Sequence, residues 1–308
     1  MILQSFMSEA IRERIEELEE EIKNTKYNKA TQHHIGLLKA KIAKLREELE
    51  EKQSKSTGGE GYAVRKSGDA TVAMVGFPSV GKSTLINALT NADSKTAPYD
   101  FTTLDVIPGI MEYQQAKIQI LDVPGIVRGA ADGTGRGKEV LSVIRTADLI
   151  MIVLDVNKLH QYEIVKQEIY NANIRLDQKK PSVKIKKKAK GGITVASTVK
   201  LDIDKNTIKS ILQEFKIINA DIVIRSRINE DQLIDAIKQN RKYIPSLTLI
   251  NKLDTVSEKS LRQIKSKFQG ALFISAENET NLDKLKDTIF NKLNLIRIYL
   301  KKPGKEAD

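Results

Sequence analysis

Apolar residues recur at helical spacing along the first fifty residues of the chain. They stand three or four residues apart on otherwise charged segments and form two runs: Ile11, Ile15, Leu18 and Ile22, then Ile35, Leu38, Ile42, Leu45 and Leu49. Each run predicts one apolar stripe on an amphipathic helix. The polar stretch 24–31 between them predicts a turn, with Thr31 as a helix N-cap. Residues 8–52 are therefore expected to form an antiparallel helical hairpin, either a self-contained stalk or a docking arm for a larger assembly.

From residue 70 onwards, short apolar runs alternate with helical periodicity. The runs predict strands over 70–75, 117–122, 148–155, 246–250 and 271–274, and the periodic segments predict helices over 82–91, 136–146 and 282–297. Residues 148–155 are apolar on both faces, as expected of a central strand in a parallel sheet. The alternation predicts an α/β fold with a doubly wound sheet, whose ligand binds at the carboxyl ends of the strands.

One interval is too long for a single crossover helix, because Ser246 lies 91 residues after Asp155. Strand and helix patterns of its own fall at 190–199, 204–214, 220–224 and 231–237. We therefore expect a small inserted α+β domain. The predicted segments are the hairpin at 1–57, a main domain made of 58–165 and 244–308, and the insert at 166–243.

Residues Gly76–Ser83 read G-F-P-S-V-G-K-S directly after the first predicted strand. A loop of this kind turns backbone N–H groups toward phosphate oxygens, and glycines are needed where the chain bends tightly beside the ligand. Lys82 can reach the β- and γ-phosphates, and the Ser83 hydroxyl can ligate Mg²⁺. The helix that starts near Lys82 directs its positive end at the same anion. The predicted nucleotide contacts of this loop are Gly76, Phe77, Pro78, Ser79, Val80, Gly81, Lys82, Ser83 and Thr84.

A second motif, Asp122-Val-Pro-Gly125, ends the strand predicted over 117–122. Asp122 can hold Mg²⁺, usually through water, and the Gly125 N–H can contact a γ-phosphate because glycine lets the backbone approach closely. A hydroxyl between the two motifs must complete the Mg²⁺ shell. Thr102 and Thr103 both qualify chemically.

A third motif, Asn251-Lys-Leu-Asp254, follows the strand over 246–250 and is predicted to read the base. The Asp254 carboxylate can accept from the N1–H and 2-amino donors of guanine, neither of which adenine offers. Sites built on such hydrogen bonds discriminate by roughly 10⁴–10⁵. Lys252 can lie over the base plane, and Ser275-Ala276-Glu277 is expected to supply a backbone N–H to guanine O6. The predicted nucleotide is therefore GTP or GDP, and an ATPase is disfavoured.

Gly125 is followed by Ile126, at a position where many GTPases have a glutamine that orients the attacking water. Isoleucine has no donor or acceptor, so either hydrolysis is slow or another group positions the water. The glycine-rich stretch 128–137 resembles a switch whose order depends on the γ-phosphate. Its Arg128 and Arg136 either stabilise charge or are merely solvated.

Composition adds three constraints. The net charge is +11, and Lys179–Lys190 holds seven lysines and no acid, which indicates either a polyanion partner such as RNA or a solvated basic loop. The absence of cysteine excludes disulfides and Cys-based zinc sites and fits a cytoplasmic protein. The chain has no run of 18 apolar residues, so no membrane span is expected.

Together these motifs resemble the developmentally regulated GTP-binding protein family, within the Obg-like branch of the P-loop GTPases. The resemblance also covers Tyr99–Leu104, the stretch 129–137 and Asn240–Pro245. It implies that Thr103 is the Mg²⁺ ligand, that Lys82, Thr103 and Gly125 serve catalysis, and that the insert is similar to the second domain of ribosomal protein S5. Residues 296–304 look like the family's lead into a C-terminal TGS domain, which we expect this chain to lack.

The resemblance further implies a monomer that associates with ribosomes and translation, with a regulatory protein partner open. Some family members respond to K⁺. Relatives that use K⁺ in catalysis often carry Asn where this chain has Ser79, so K⁺ dependence stays open. Two functions follow: a Mg²⁺-dependent GTPase that acts as a conformational switch, or an RNA- or ribosome-binding module in which nucleotide only gates binding.

Overall fold

The computed structural model describes residues 2–54, 66–90, 107–123 and 137–296. Several predicted features fall outside these residues: Thr102, Thr103, Gly125, Ile126, Arg128, Arg136 and most of 296–304.

Helices and strands are interleaved along the described part of the chain. The helices are α1 Ile2–Asn24, α2 Gln32–Ser54, α3 Lys82–Leu89, α4 Gly137–Ile144, α5 Gln161–Asn171, α6 Lys205–Glu214, α7 Glu230–Lys238, α8 Glu258–Lys267 and α9 Leu282–Lys292, with a 3₁₀ turn at Leu253–Thr255. The strands are β1 Ala70–Val75, β2 Ile107–Tyr113, β3 Ala116–Asp122, β4 Leu149–Asp155, β5 Ile174–Leu176, β6 Val183–Lys187, β7 Ile193–Ser197, β8 Ala220–Ile224, β9 Lys242–Ile244, β10 Ser246–Asn251 and β11 Leu272–Phe273.

The larger of two compact units contains residues 61–178 and 242–308. Its six-stranded sheet has the order β11-β10-β4-β1-β3-β2 and is parallel except for β2. One core lies under α4 and α5, and a second lies under α3 and α9 on the opposite face. The predicted doubly wound α/β class is therefore confirmed, and the carboxyl ends of β1, β3, β4 and β10 meet at one edge of the sheet.

The sequence pattern did not predict the edge strand β2, which pairs antiparallel with β3 from Ile107↔Asp122 to Tyr113↔Ala116. The strand contains Pro108 and Gly109, both poor strand formers, and an edge position tolerates proline because one side of the ladder is empty. A Cβ at Gly109 would lie 2.5 Å from Thr90 Cγ2 and 3.1 Å from Ile86 Cγ1. Glycine here lets the end of α3 pack directly on β2.

The smaller unit contains residues 1–60 and 179–241. The predicted hairpin is confirmed, with Ile15 and Leu18 of α1 packed against Leu38 and Ile42 of α2. A three-stranded sheet, in the order β6-β8-β7, packs through Ala220, Ile222 and Ile224 against α6 and α7.

The hairpin and the insert share one core, although the sequence suggested separate segments. Ala40 of α2 lies in the cluster that includes Ile208 and Ile211 of α6, so α2 has a second packed side. Gln32 Nε2 also donates to Asp202 O at 3.0 Å. The part of the insert that belongs to the smaller unit runs from residue 179 to 241, which is shorter than the predicted 166–243. The remaining residues belong to the larger unit, because α5 packs on its sheet and β5 pairs with β9.

Gly36 of α2 tests this shared core. A Cβ at this position would lie 3.1 Å from Thr207 Cγ2 and 3.3 Å from Ile211 Cδ1. We predict that Gly36→Leu lowers the free energy of unfolding of this unit by about 1–3 kcal/mol, since overpacking outweighs the better helix propensity of leucine. Urea unfolding of the full chain measures the change. Lys41→Leu, on the exposed side of α2, is the control, and equal stability of the two variants would contradict the shared core.

Candidate nucleotide-binding site

The phosphate loop connects β1 to α3 at the carboxyl edge of the larger sheet. A Cβ at Gly76 would lie 2.4 Å from the carbonyl oxygen of Val153, so only glycine fits beside β4. Gly81 has φ +92°, and a Cβ there would lie 2.4 Å from Asn251 Nδ2. Gly81 offers no side-chain cap to α3. The first N–H groups of that helix therefore remain available to an anion.

The ammonium group of Lys82 is buried against the carbonyl groups of this loop. The residue is 8 % exposed, and Nζ donates to the carbonyl oxygens of Gly76 and Phe77, both at 3.3 Å. Burial lowers the pKa of Lys82, while the charge of Asp122 opposes that effect. Phosphate oxygens entering the loop would replace neutral carbonyls with anionic partners and so favour the charged ammonium.

The two described residues predicted to hold Mg²⁺ meet, although they come from different motifs. Ser83 Oγ donates to Asp122 Oδ2 at 2.9 Å. The two side chains are therefore close enough to bind one ion, Ser83 directly and Asp122 directly or through a water molecule. Among the described residues, no group of three or more His, Cys, Asp or Glu could hold a metal ion. Mg²⁺ in proteins is often bound by one or two protein oxygens together with substrate phosphates and water.

Asn251 joins the phosphate loop to the base-reading side of the site. The residue is 2 % exposed, and its Nδ2 donates to Val80 O at 3.0 Å while its Oδ1 accepts from Ala276 N at 2.9 Å. The sequence motif had grouped Asn251 with the nucleotide contacts. In this structure, both ends of its amide hold protein backbone.

Lys252 lies against the phosphate loop and a carboxylate that the sequence motifs had not singled out. Its Nζ donates to Ser79 O at 2.7 Å and to Asp155 Oδ2 at 2.8 Å. Burial alone would raise the pKa of Asp155, but hydrogen bonds from Lys252 and from the Asn157 backbone outweigh it, and the pKa is lowered. A carboxylate at the end of the otherwise apolar strand β4 was the sequence signal that could have found it.

The predicted base reader is held by the loop that follows β11. Ser275 Oγ donates to Asp254 Oδ1 at 2.5 Å and accepts from Asn278 N at 3.2 Å. Ser275 is 1 % exposed, whereas Asp254 is exposed. This contact fixes the direction of a carboxylate that solvent or a base can reach.

The structure indicates which of the three backbone N–H groups of Ser275–Glu277 could donate to guanine O6. Ser275 N donates to Thr280 O at 3.3 Å, and Ala276 N is occupied by Asn251. Of these three described N–H groups, that of Glu277 has no protein partner. Glu277 itself is exposed at the edge of the site.

Comparison with known proteins agrees with these motifs. A family model described as a 50S ribosome-binding GTPase matches residues 71–188, and a model of the C-terminal region of the same domain matches residues 190–295. The chain is 48 % identical to developmentally-regulated GTP-binding protein 1 of Xenopus laevis over 299 residues, which are 96 % of this chain and 81 % of that protein. It belongs to the family of developmentally regulated GTP-binding proteins.

Other relatives of this GTPase are similar over the same span. An uncharacterized GTP-binding protein of Methanocaldococcus jannaschii is 54 % identical over 97 % of this chain and 77 % of its own length. Ribosome-interacting GTPase 1 of Saccharomyces cerevisiae is 44 % identical over 96 % of this chain and 82 % of its own length. In the described part of this family member, no helix is long and apolar enough to cross a membrane.

Asp155 provides a test of how the site is held. We predict that Asp155→Asn weakens GDP and GTP binding equally, by roughly tenfold, because an amide loses about 1–2 kcal/mol of interaction with the Lys252 ammonium. The rate at saturating GTP should change little. Fluorescence titration and single-turnover hydrolysis measure the two quantities.

Asp148→Asn is the matched control, because Asp148 precedes β4 at the other end of the same strand and accepts from Thr71 N. A loss of affinity as large in Asp148→Asn as in Asp155→Asn would mean that the effect is general destabilisation of the sheet.

Proposed function

We propose that this protein is a Mg²⁺-dependent GTPase that hydrolyses GTP to GDP and phosphate and changes conformation with the bound nucleotide. The observation that carries this proposal is the convergence of three sequence motifs at one sheet edge, with Asn251 bonded to both the phosphate loop and the loop after β11. A nucleotide bound at this edge would contact both loops at once.

The predicted contacts divide by chemistry. The N–H groups of the loop 76–84 and Lys82 would bind the phosphates. Ser83, Asp122 and Thr103 would hold Mg²⁺, which neutralises charge between the β- and γ-phosphate oxygens. Gly125 would contact the γ-phosphate and so report whether it is present.

The base contacts explain the choice of guanine. Asp254, oriented by Ser275, would accept from N1–H and the 2-amino group, and Lys252 would lie over the ring. A donor from the Ser275–Glu277 segment would meet O6. Adenine would leave the carboxylate without a partner, which is the basis of discrimination in such sites.

An exchange of the base reader tests this assignment. Asp254→Asn should lose GTP affinity by roughly 10- to 100-fold, because the amide presents a donor to the 2-amino group. The same variant should gain affinity for xanthosine triphosphate, whose 2-oxygen accepts from that amide. Competition binding measures both changes, with Asp283→Asn on the exposed start of α9 as control. An unchanged preference for guanine would remove Asp254 from the base site.

The ribosome is the proposed site of action. The yeast relative is called a ribosome-interacting GTPase, and the matching family model is described as 50S ribosome-binding. Ile126 cannot orient the attacking water, so another group, such as a partner or a monovalent cation, would supply that role. Ribosome association would place the protein in the cytoplasm.

We predict slow GTP hydrolysis by the isolated protein and at least about a tenfold increase with ribosomes, if the partner contributes a transition-state contact worth about 1.4 kcal/mol. Phosphate release, measured in K⁺ and in Na⁺ with and without ribosomes, tests this. A K⁺-specific increase without ribosomes would assign water positioning to the cation instead.

A second function, a binding module in which nucleotide only gates RNA contact, is favoured by the exposed lysines of the smaller unit. Lys82→Ala separates the two. Loss of the association itself supports the switch, whereas loss of only its nucleotide dependence supports the module.

A further inference from the structure

The three-stranded sheet of the smaller unit has one open face. The side chains that alternate toward its core are Val183 and Ile185 of β6, Ile193 and Val195 of β7, and Ala220, Ile222 and Ile224 of β8. The opposite face is exposed or half-exposed along all three strands. Its side chains are Lys184 and Lys186 of β6, Thr194 and Ala196 of β7, and Asp221 and Val223 of β8.

The open face is strongly basic. Lys184 and Lys186 lie opposite Val223 and Asp221 in the β6–β8 ladder. Arg225 continues the same face beyond β8, where its backbone N–H still donates to Ser182 O at 2.8 Å. Lys188 lies just after β6. All four cations alternate onto the side of the sheet away from α6 and α7.

Asp221 is the one acid among these open-face residues, and it is already paired. Its Oδ1 accepts from Lys188 Nζ at 2.6 Å. The hydrogen bond from Lys188 lowers the pKa of Asp221, with further help from the charges of Lys188 and Lys186. The carboxylate therefore stays ionised and neutralises one lysine, which leaves Lys184, Lys186 and Arg225 to meet an anionic partner.

Protection of a sheet edge does not account for this pattern. Lysines on an edge strand such as β6 hinder pairing with another chain. Arg225, however, extends the central strand β8, where no edge needs protection. The charge lies on the face of the two neighbouring strands β6 and β8, about 5 Å across them and about 13 Å along them.

The chemistry of the face indicates a phosphate backbone rather than exposed bases. Residues 179–200 and 220–227 contain no aromatic side chain, so the face lacks the rings on which single-stranded bases stack. Alternate residues on a strand are spaced by about 6.6 Å, comparable to successive phosphates along a nucleic acid strand. A-form RNA presents a wide, shallow minor groove bordered by phosphates, which a flat face can approach.

We propose that this open face, defined by Lys184, Lys186 and Arg225, binds double-stranded RNA through its phosphates. The inference rests on the proposed ribosome-linked function and names the surface that makes the contact. It assigns the RNA contact to Lys184 and Lys186 of the basic run 179–190, together with Arg225, rather than to all seven lysines of that run.

The test compares Lys184→Glu/Lys186→Glu with the wild-type full chain in binding to a short RNA duplex at several salt concentrations. We expect the affinity at low salt to fall at least about tenfold and the magnitude of the log–log salt slope to fall by about two, one for each lost phosphate contact. Lys184→Arg/Lys186→Arg should retain both. Lys205→Glu/Lys209→Glu, the same charge change on the exposed side of α6, should bind RNA with the salt slope of the wild type.

Further probes separate the partners. Single-stranded poly(U) and polyglutamate should bind at least about tenfold more weakly than the duplex at equal charge. Equal binding of polyglutamate, or an unchanged affinity in the double glutamate variant, overturns the proposal. GTP hydrolysis and GDP affinity of each variant are measured in parallel. Normal hydrolysis with no RNA binding by the wild type would contradict this surface while leaving the GTPase proposal intact.

Discussion

The side-chain amide of Asn251 is the contact on which the nucleotide site depends. It donates to Val80 O and accepts from Ala276 N, so one buried side chain joins the loop after β1 to the loop after β11. These loops leave strands at different positions of the sheet, with β4 and β10 between them. Removing one partner of a buried hydrogen bond costs about 1–3 kcal/mol. The loops proposed to bind the phosphates and to read the base therefore hold each other in place.

A second group of contacts gives each charged side chain of the site a partner from the protein itself. Lys82 donates to two loop carbonyls, Ser83 donates to Asp122, and Lys252 is paired with Asp155. Binding of a magnesium–nucleotide complex would exchange the partners of Lys82, Ser83 and Asp122 for phosphate and metal, so no new charge would be left unpaired. The Lys252 pair involves neither Lys82 nor Asp122, so it can stay intact through that exchange. We therefore expect a nucleotide to replace the first kind of contact, whereas the Lys252–Asp155 pair would keep the pocket in shape.

Sequence reasoning was most reliable where one physical signal dominated. Apolar runs such as 148–155 predicted the central strands, and the glycine and lysine spacing of the phosphate loop predicted its place after β1. It missed β2, where Pro108 and Gly109 hide an edge strand, and it did not recognise β6, because lysines alternate with only two apolar residues, Val183 and Ile185. The second packed side of α2 consists of the small residues Gly36, Ala40 and Ala43, which carry little hydrophobic signal. Asp155 was overlooked because its partner, Lys252, lies 97 residues away.

The most direct measurement of this account is the GDP affinity of Asn251→Asp. The carboxylate can still accept from Ala276 N, but it cannot donate to Val80 O. Asn281→Asp is the matched control, because the Asn281 amide donates to Phe273 O at 2.8 Å on the same sheet but outside the site. The account predicts at least about a tenfold loss of GDP affinity for Asn251→Asp and little loss for the control. Unchanged GDP binding by Asn251→Asp, in a protein that unfolds like the wild type, would contradict it.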